Sequence, residues 1–173
     1  SSDVCSSDLV SIGSNTEREV YIGRCLDALD ARFEKLALSP VFESEAVGFD
    51  GDNFYNLVAS FKTELPVGEL SKQLKMIEDD NGRCRTSPKF SGRTLDIDIL
   101  TYDALIGEID GVTLPRGEIT ENAFVLWPLA ELAPKARHPV LAETYQQLWL
   151  DYDKDKQSLH PVPFIWREKD LSA

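Results

Sequence analysis

The sequence is poor in the residues from which many sites are built. It has three cysteines and two histidines among 173 residues, and Cys5, Cys25 and Cys84 show no C-x-x-C spacing. An odd, unrelated trio excludes a disulfide framework, and His138 and His160 are too few to complete a zinc site with them. No apolar run of about 18 residues occurs, and no basic, apolar, small-residue signal opens the chain, so neither a membrane span nor secretion is expected. A cytoplasmic location is. Basic residues are scarce too: 18 Lys and Arg face 30 Asp and Glu, for a net charge of -12. Phosphate-backbone affinity comes from Lys and Arg, so no nucleic-acid partner is expected, although a small arginine cluster would suffice for a nucleotide. Neither G-x-x-x-x-G-K-[ST] nor G-x-G-x-x-G is present, and phosphate would have to be held by metal and arginines.

What is present is concentrated between Ser91 and Leu100. Leu95, Ile97 and Ile99 alternate with Thr94, Asp96 and Asp98, the period of a strand that buries one face. Both aspartates therefore point the same way, roughly 7 Å apart. At an effective dielectric of about 20 they repel by roughly 2 to 3 kcal/mol. Solvent offsets such repulsion on an ordinary half-exposed strand; a hard cation such as Mg²⁺ does so better, since it takes one or two carboxylates plus waters and substrate phosphates. Arg83, Arg85 and Arg93 fall within the eleven residues 83–93, just before the pair. Paired acids beside guanidinium groups suit phosphoryl chemistry, in which charge on the transferring group is stabilised from several sides.

A hydrophobic content of 42% over this length suits one domain. Residues 1–9 look foreign to it: Ser-Ser-Asp recurs at 1–3 and 6–8, and Asp3 to Leu9 is what a DNA-library adapter read as coding sequence would encode. The alternative is a genuine flexible N-terminus. A single domain is expected over 10–173. Val10 to Ile12 reads as a strand, and Thr16 with Glu19 as a capping box opening a helix over about 16–35. Strands follow over 36–43 and 54–63, separated by a polar loop at 44–53. Pro66 opens a second helix that Asn81-Gly82 closes, and a second polar loop covers 83–92 before the acid-bearing strand. A hairpin at 103–111, a short helix over 120–126 ended by Trp127-Pro128, a helix over 142–152 and an edge-like stretch to Trp166 complete the pattern. The core reads β-α-β-β-α-β, an α+β ferredoxin-like antiparallel sheet with two helices on one face, plus a C-terminal extension.

Further motifs accompany this run: Ile12-Gly13-Ser14-Asn15, Phe54-Tyr55-Asn56, Glu78 with Gly82-Arg83-Cys84-Arg85, Gly92-Arg93-Thr94-Leu95-Asp96-Ile97-Asp98, Phe124-Val125-Leu126-Trp127-Pro128-Leu129 and Leu132-Ala133-Pro134, in collinear order from Ile12 to Pro134. Their resemblance is to the 6-hydroxymethyl-7,8-dihydropterin pyrophosphokinases of folate biosynthesis. It implies transfer of pyrophosphate from ATP to the hydroxymethyl group of a dihydropterin, with two Mg²⁺ ions. By the same resemblance Asp96 and Asp98 are the metal ligands, and Arg83 and Arg93 are loop arginines that close on the phosphates, supported by Arg85. Glu78 and Thr113 line the nucleotide site. Ser44, Val47, Asn56 and Phe124 form the pterin site, where a carboxamide offers donor and acceptor to the ring edge and an aromatic stacks on its face.

Four positions depart from the family pattern. Arg116 stands where histidine is usual, retaining a phosphate donor of different geometry. Phe90 replaces a covering tryptophan and keeps the ring without the indole N–H. Asn122 and Lys75 replace an arginine and a glutamine near the nucleotide. A paralogue tuned to another pterin, a non-catalytic pterin or nucleotide binder, and a metal-dependent nucleotidyl transferase remain as alternatives, the last disfavoured by the acidic surface. A monomer is expected.

Overall fold

A computed structural model describes residues 8–45, 53–82 and 95–171. Its central sheet is laid out by alternation. Strand β1 (Asp8–Ser14) lies between β4 (Phe54–Lys62) and β5 (Asp96–Thr101), antiparallel to both. Beyond β4 the sheet continues through β3 (Phe42–Ser44) to β8 (Leu159–Pro161), giving the order β5-β1-β4-β3-β8, and β2 (Glu34–Leu38) also pairs with β4. Helices α1 (Arg18–Arg32) and α2 (Val67–Asp80) make the crossovers. This is the expected ferredoxin-like core, and β1 begins at Asp8, two residues before the expected strand. The reading of residues 1–7 lies outside the described residues.

Each face of the sheet has its own core. Val10, Ile12, Ile97 and Ile99 pack with Ile22, Leu26 and Leu29 of α1 and Leu70, Leu74 and Ile77 of α2. Burying each such side chain contributes about 1.5 to 3 kcal/mol. The opposite face, with Leu9, Val58 and Leu100, is covered by α3 (Glu118–Glu121), α4 (Ala123–Leu132) and α5 (Tyr145–Asp151). The two core helices thus share one face as expected, and the C-terminal extension supplies the helices of the other. A hairpin of β6 (Gly107–Ile109) and β7 (Val112–Leu114) turns through Asp110-Gly111, both at positive φ. A small ribbon of β9 (Ile165–Trp166) and β10 (Lys169–Asp170) sits near the C-terminus.

Several local expectations are corrected. The capping box at Thr16 and Glu19 does not form: Glu17 takes the N-cap position in the left-handed region without a side-chain cap, and the Thr16 hydroxyl donates to Asn15 Oδ1. The single strand expected over 36–43 is two, broken at Ser39-Pro40. Proline has no ladder donor, and there the Ser39 hydroxyl oxygen accepts the Val58 N–H at 2.8 Å. Trp127-Pro128 does not end a helix but lies inside α4. The missing N–H forfeits one bond, to the Phe124 carbonyl at the start of the helix, and buried Val125, Leu126 and Leu129 hold it in place. α4 instead starts at Ala123, whose N–H is taken by Gln157 Oε1 at 2.7 Å while Gln157 Nε2 donates to Asn122.

Candidate active site

Strand register assembles the site. Gly13 of β1 pairs with Asn56 of β4 on one side and Asp96 of β5 on the other, and Asn56 also pairs with Phe42 of β3. Strands lie about 4.8 Å apart, so Asn56 and Asp96 are about 10 Å apart across a glycine. A Cβ added at Gly13 would sit 3.5 Å from Asn56 Oδ1 and 3.7 Å from the Phe54 ring. The bare position keeps the floor between them open.

On the β4 side Asn56 is 6% exposed and Ser44 is buried with it. Asn56 Nδ2 donates to Ser44 Oγ at 2.8 Å, whereas its carboxamide oxygen has no partner among the described residues. A buried acceptor left open costs about 1 to 3 kcal/mol unless something donates to it, which marks a place for a ligand N–H. Phe124, half-buried in the first turn of α4, belongs to the helix that packs on this face of β4 and β3. Across the sheet the same strand ends are tied by Arg18. Its Nη1 donates to Glu43 Oε2 at 2.6 Å and to the Asn53 carbonyl at 2.9 Å, and its guanidinium lies 4.0 Å from the Tyr55 ring centroid.

On the β5 side Asp96 and Asp98 share a face as the alternation requires, both half-exposed between buried Leu95, Ile97 and Ile99. Burial first, and the Asp96 charge second, push the Asp98 carboxyl up to about 7, against the pull of Arg116. Arg116 does not offset the burial and the neighbouring acids, so this carboxyl favours a proton or a cation. No group of three or more His, Cys, Asp or Glu suited to a metal occurs among the described residues. Two carboxylates and no soft donor fit Mg²⁺, which completes its shell with water and phosphate oxygens, and do not fit a closed zinc cage.

A cleft of about 290 Å³ runs along the outer edge of β5. Lys75 and Glu78 of α2, both aspartates, Thr113 of β7 and Arg116 line it, so the described nucleotide-side candidates converge. Glu78 is buried although Asp79 and Asp80 beside it in sequence are exposed, because its Oε2 accepts the Ile97 N–H at 2.7 Å on the outer edge of β5. Arg116 reaches Asp98 at 3.7 Å and is gripped by Glu118, whose Oε1 accepts from Nη2 at 2.8 Å and Nε at 3.1 Å. Asn122, in contrast, is engaged with Gln157. A larger cavity of about 540 Å³ opens at the far end of the sheet between Asp8, Arg32, Lys62 and Asp103, away from these residues.

Val47, Arg83, Arg85, Phe90 and Arg93 lie outside the described residues. Arg18, Glu118 and Asp110 were not singled out from sequence. Asp110, at the tip of the β6–β7 hairpin, accepts the Gly68 N–H at the start of α2 at 3.0 Å and so docks the hairpin that carries Thr113. No motif announces such a contact, which joins residues 42 positions apart.

Residues 9–134 match the family model of 7,8-dihydro-6-hydroxymethylpterin-pyrophosphokinase. The chain is 37% identical over 134 residues to the 2-amino-4-hydroxy-6-hydroxymethyldihydropteridine pyrophosphokinase of Pseudomonas aeruginosa, covering 75% of this chain and 82% of that one. The enzyme of the same name from Aquifex aeolicus is 34% identical over 131 residues, at 75% and 81% coverage. The folic acid synthesis protein FOL1 of Dictyostelium discoideum is 36% identical over 112 residues, which are 65% of this chain but 17% of that protein. Among solved structures, the wild-type HPPK-DHPS of Plasmodium falciparum with pterin and p-hydroxybenzoate superposes with a TM-score of 0.72 at 14% identity, over 96% of this chain and 46% of that one. That likeness concerns the fold. No helix among the described residues is long and apolar enough to cross a membrane.

Proposed function

The chain belongs to the 7,8-dihydro-6-hydroxymethylpterin-pyrophosphokinase family, and we propose that it transfers pyrophosphate from ATP to the hydroxymethyl group of 6-hydroxymethyl-7,8-dihydropterin, releasing AMP. The observation that carries the reading is the row Asn56, Gly13, Asp96: an open buried carboxamide and an acid pair on one sheet face, with nothing larger than glycine between them.

Asn56, with Ser44 behind it, takes the edge of the pterin, and Phe124 stacks on the ring. This leaves the hydroxymethyl group directed along the bare floor toward β5. Its oxygen attacks the β-phosphorus as the bond from that phosphorus to the α,β-bridging oxygen breaks; AMP leaves with the bridging oxygen, and the hydroxyl proton is lost to solvent. Asp96 and Asp98 would hold the Mg²⁺ ions, two being expected with ATP. When bound, these ions neutralise phosphate charge and orient the transferred group. Glu78 fixes the strand between the two acids through the Ile97 N–H. Thr113 and Arg116 contact the nucleotide, and Arg83, Arg93 and Arg85 are assigned to its phosphates, with Val47 and Phe90 assigned to the pterin side. The reading is completed by a cytoplasmic monomer, the second part of which size-exclusion chromatography tests.

The deciding experiment incubates the purified protein with ATP, Mg²⁺ and the dihydropterin and identifies the nucleotide product. AMP is expected. ADP would mean a single-phosphoryl kinase, and no pterin-dependent turnover would mean a binder.

A further inference from the structure

Arg116, which lines the cleft beside β5, is held by a carboxylate that the proposed reaction does not use. Glu118, the first residue of α3, receives both Nε and Nη2 of Arg116 on one oxygen, at 3.1 and 2.8 Å. The Arg116 backbone is itself anchored, its N–H donating to the Leu100 carbonyl at 2.9 Å, so only the side chain is free to choose partners. Two carboxylates compete for it. Glu118 makes hydrogen bonds of charge-assisted length, while Asp98 Oδ1 lies 3.7 Å from Nη2, beyond hydrogen-bonding distance. The Nη1 edge has no partner among the described residues.

We propose that Glu118 is a positioning residue of the nucleotide cleft: it holds the Arg116 guanidinium off Asp98 and leaves the Nη1 edge turned toward a phosphate. The proposal rests on the nucleotide reading of the cleft. Without Glu118 the nearest remaining carboxylate is Asp98. The guanidinium closes the gap, and one movement occupies a carboxylate needed by a cation and withdraws donors from a phosphate. Simple charge counting gives the opposite result, since deleting a carboxylate should tighten binding of a polyanion. The sign of the effect therefore separates positioning from bulk electrostatics.

The test is calorimetric titration of the full chain with a non-hydrolysable ATP analogue, without pterin, at low and at high Mg²⁺. Glu118→Ala is expected to weaken binding about tenfold at low Mg²⁺ and to recover as Mg²⁺ competes the guanidinium away from Asp98. Glu118→Gln, whose amide oxygen still accepts both N–H groups, is expected to stay within about threefold of the parent. In an Arg116→Ala background the Glu118→Ala change is expected to do nothing, because its partner is gone. Binding by Glu118→Ala as tight as or tighter than that of the unsubstituted protein overturns the proposal. So does an undiminished loss in the Arg116→Ala background, which would show a role independent of Arg116. If the unsubstituted protein fails to bind the analogue at either Mg²⁺ level, the nucleotide reading falls and takes the proposal with it.

Discussion

Asn56 and Asp98 occupy the same face of the same sheet on strands that both border β1, yet they are held in opposite ways. Asn56 is 6% exposed and fixed by a hydrogen bond to Ser44 before any ligand arrives. The Asp98 side chain is 31% exposed and sits among charges that do not cancel: Asp96 and Glu118 oppose its ionisation, and Arg116 favours it from 3.7 Å. The β4 side is therefore organised by folding, and what it lacks is one donor to a carboxamide oxygen. The β5 side keeps an excess of negative charge around Asp98, which under the proposed function a cation would settle. A ligand at the first site gains from pre-organisation, and one at the second gains from neutralisation.

The largest effect expected follows from the β5 side. Asp98→Asn keeps shape and removes the charge proposed to hold the cation, so kcat should fall by about 10³-fold or more, a loss of several kcal/mol of transition-state stabilisation. The melting temperature without Mg²⁺ should hold or rise, since the repulsion between the two carboxylates is relieved. Near-normal turnover would erase the proposed division between the two sides. On the β4 side Asn56→Ala should act on substrate affinity: losing one or two hydrogen bonds of about 1 to 1.5 kcal/mol each raises the pterin KM about 5- to 150-fold. The ATP KM should stay unchanged. Steady-state kinetics with each substrate varied separately resolves the two.

The period-2 run from Leu95 to Ile99 was legible because alternation is a local property, and it placed both aspartates on one face before any partner strand was known. Pro66 and Asn81-Gly82 marked the two ends of α2 for the same reason. What escaped depends on contacts made at a distance. Pro128 is tolerated inside α4 because tertiary burial of its neighbours outweighs one lost hydrogen bond. Glu78 is buried because the edge of β5 offers an N–H that helical periodicity cannot foresee. Arg18 reads as one surface cation in the first turn of a helix until Glu43, Asn53 and Tyr55 are brought beneath it.

The β5 side also responds to pH. Asp98 and, at the far end of β1, Asp8 are both raised from 3.8 to about 7, each first by burial and then by a neighbouring acid, Asp96 or Asp103. Between those values the folded chain holds protons that the unfolded chain has released, so each group stabilises at low pH and loses that contribution as pH rises through about 7. The Mg²⁺-free protein should therefore melt at higher temperature as pH falls from about 8 toward 5. Asp98→Asn and Asp8→Asn should each flatten part of the slope. Mg²⁺ with nucleotide should remove only the Asp98 share. Scanning calorimetry across that range checks this, and an equal effect of Mg²⁺ on both variants would place the cation elsewhere.

The smallest effect expected comes from the contact that docks the nucleotide-side hairpin. Asp110 accepts the Gly68 N–H at 3.0 Å, and α2 has no side-chain cap from its own N-cap residue, Pro66. The carboxylate thus serves one of the unpaired donors of the first turn and faces the positive end of the helix. Asp110→Ala should cost about 1 kcal/mol, the usual loss of an N-terminal cap, or about 2 to 4 °C in melting temperature at this chain length. Because Thr113 follows on the returning strand and lines the cleft, the loosened hairpin should also raise the ATP KM about two- to fivefold, the equivalent of about 0.4 to 1 kcal/mol. The pterin KM should not move, since Asn56 and Ser44 are fixed by the register of β3 and β4 and share no bond with the hairpin. A shift of both KM values together would mean that the two sides are coupled through the sheet, and the contrast between a preformed floor and a ligand-completed cleft would have to be given up.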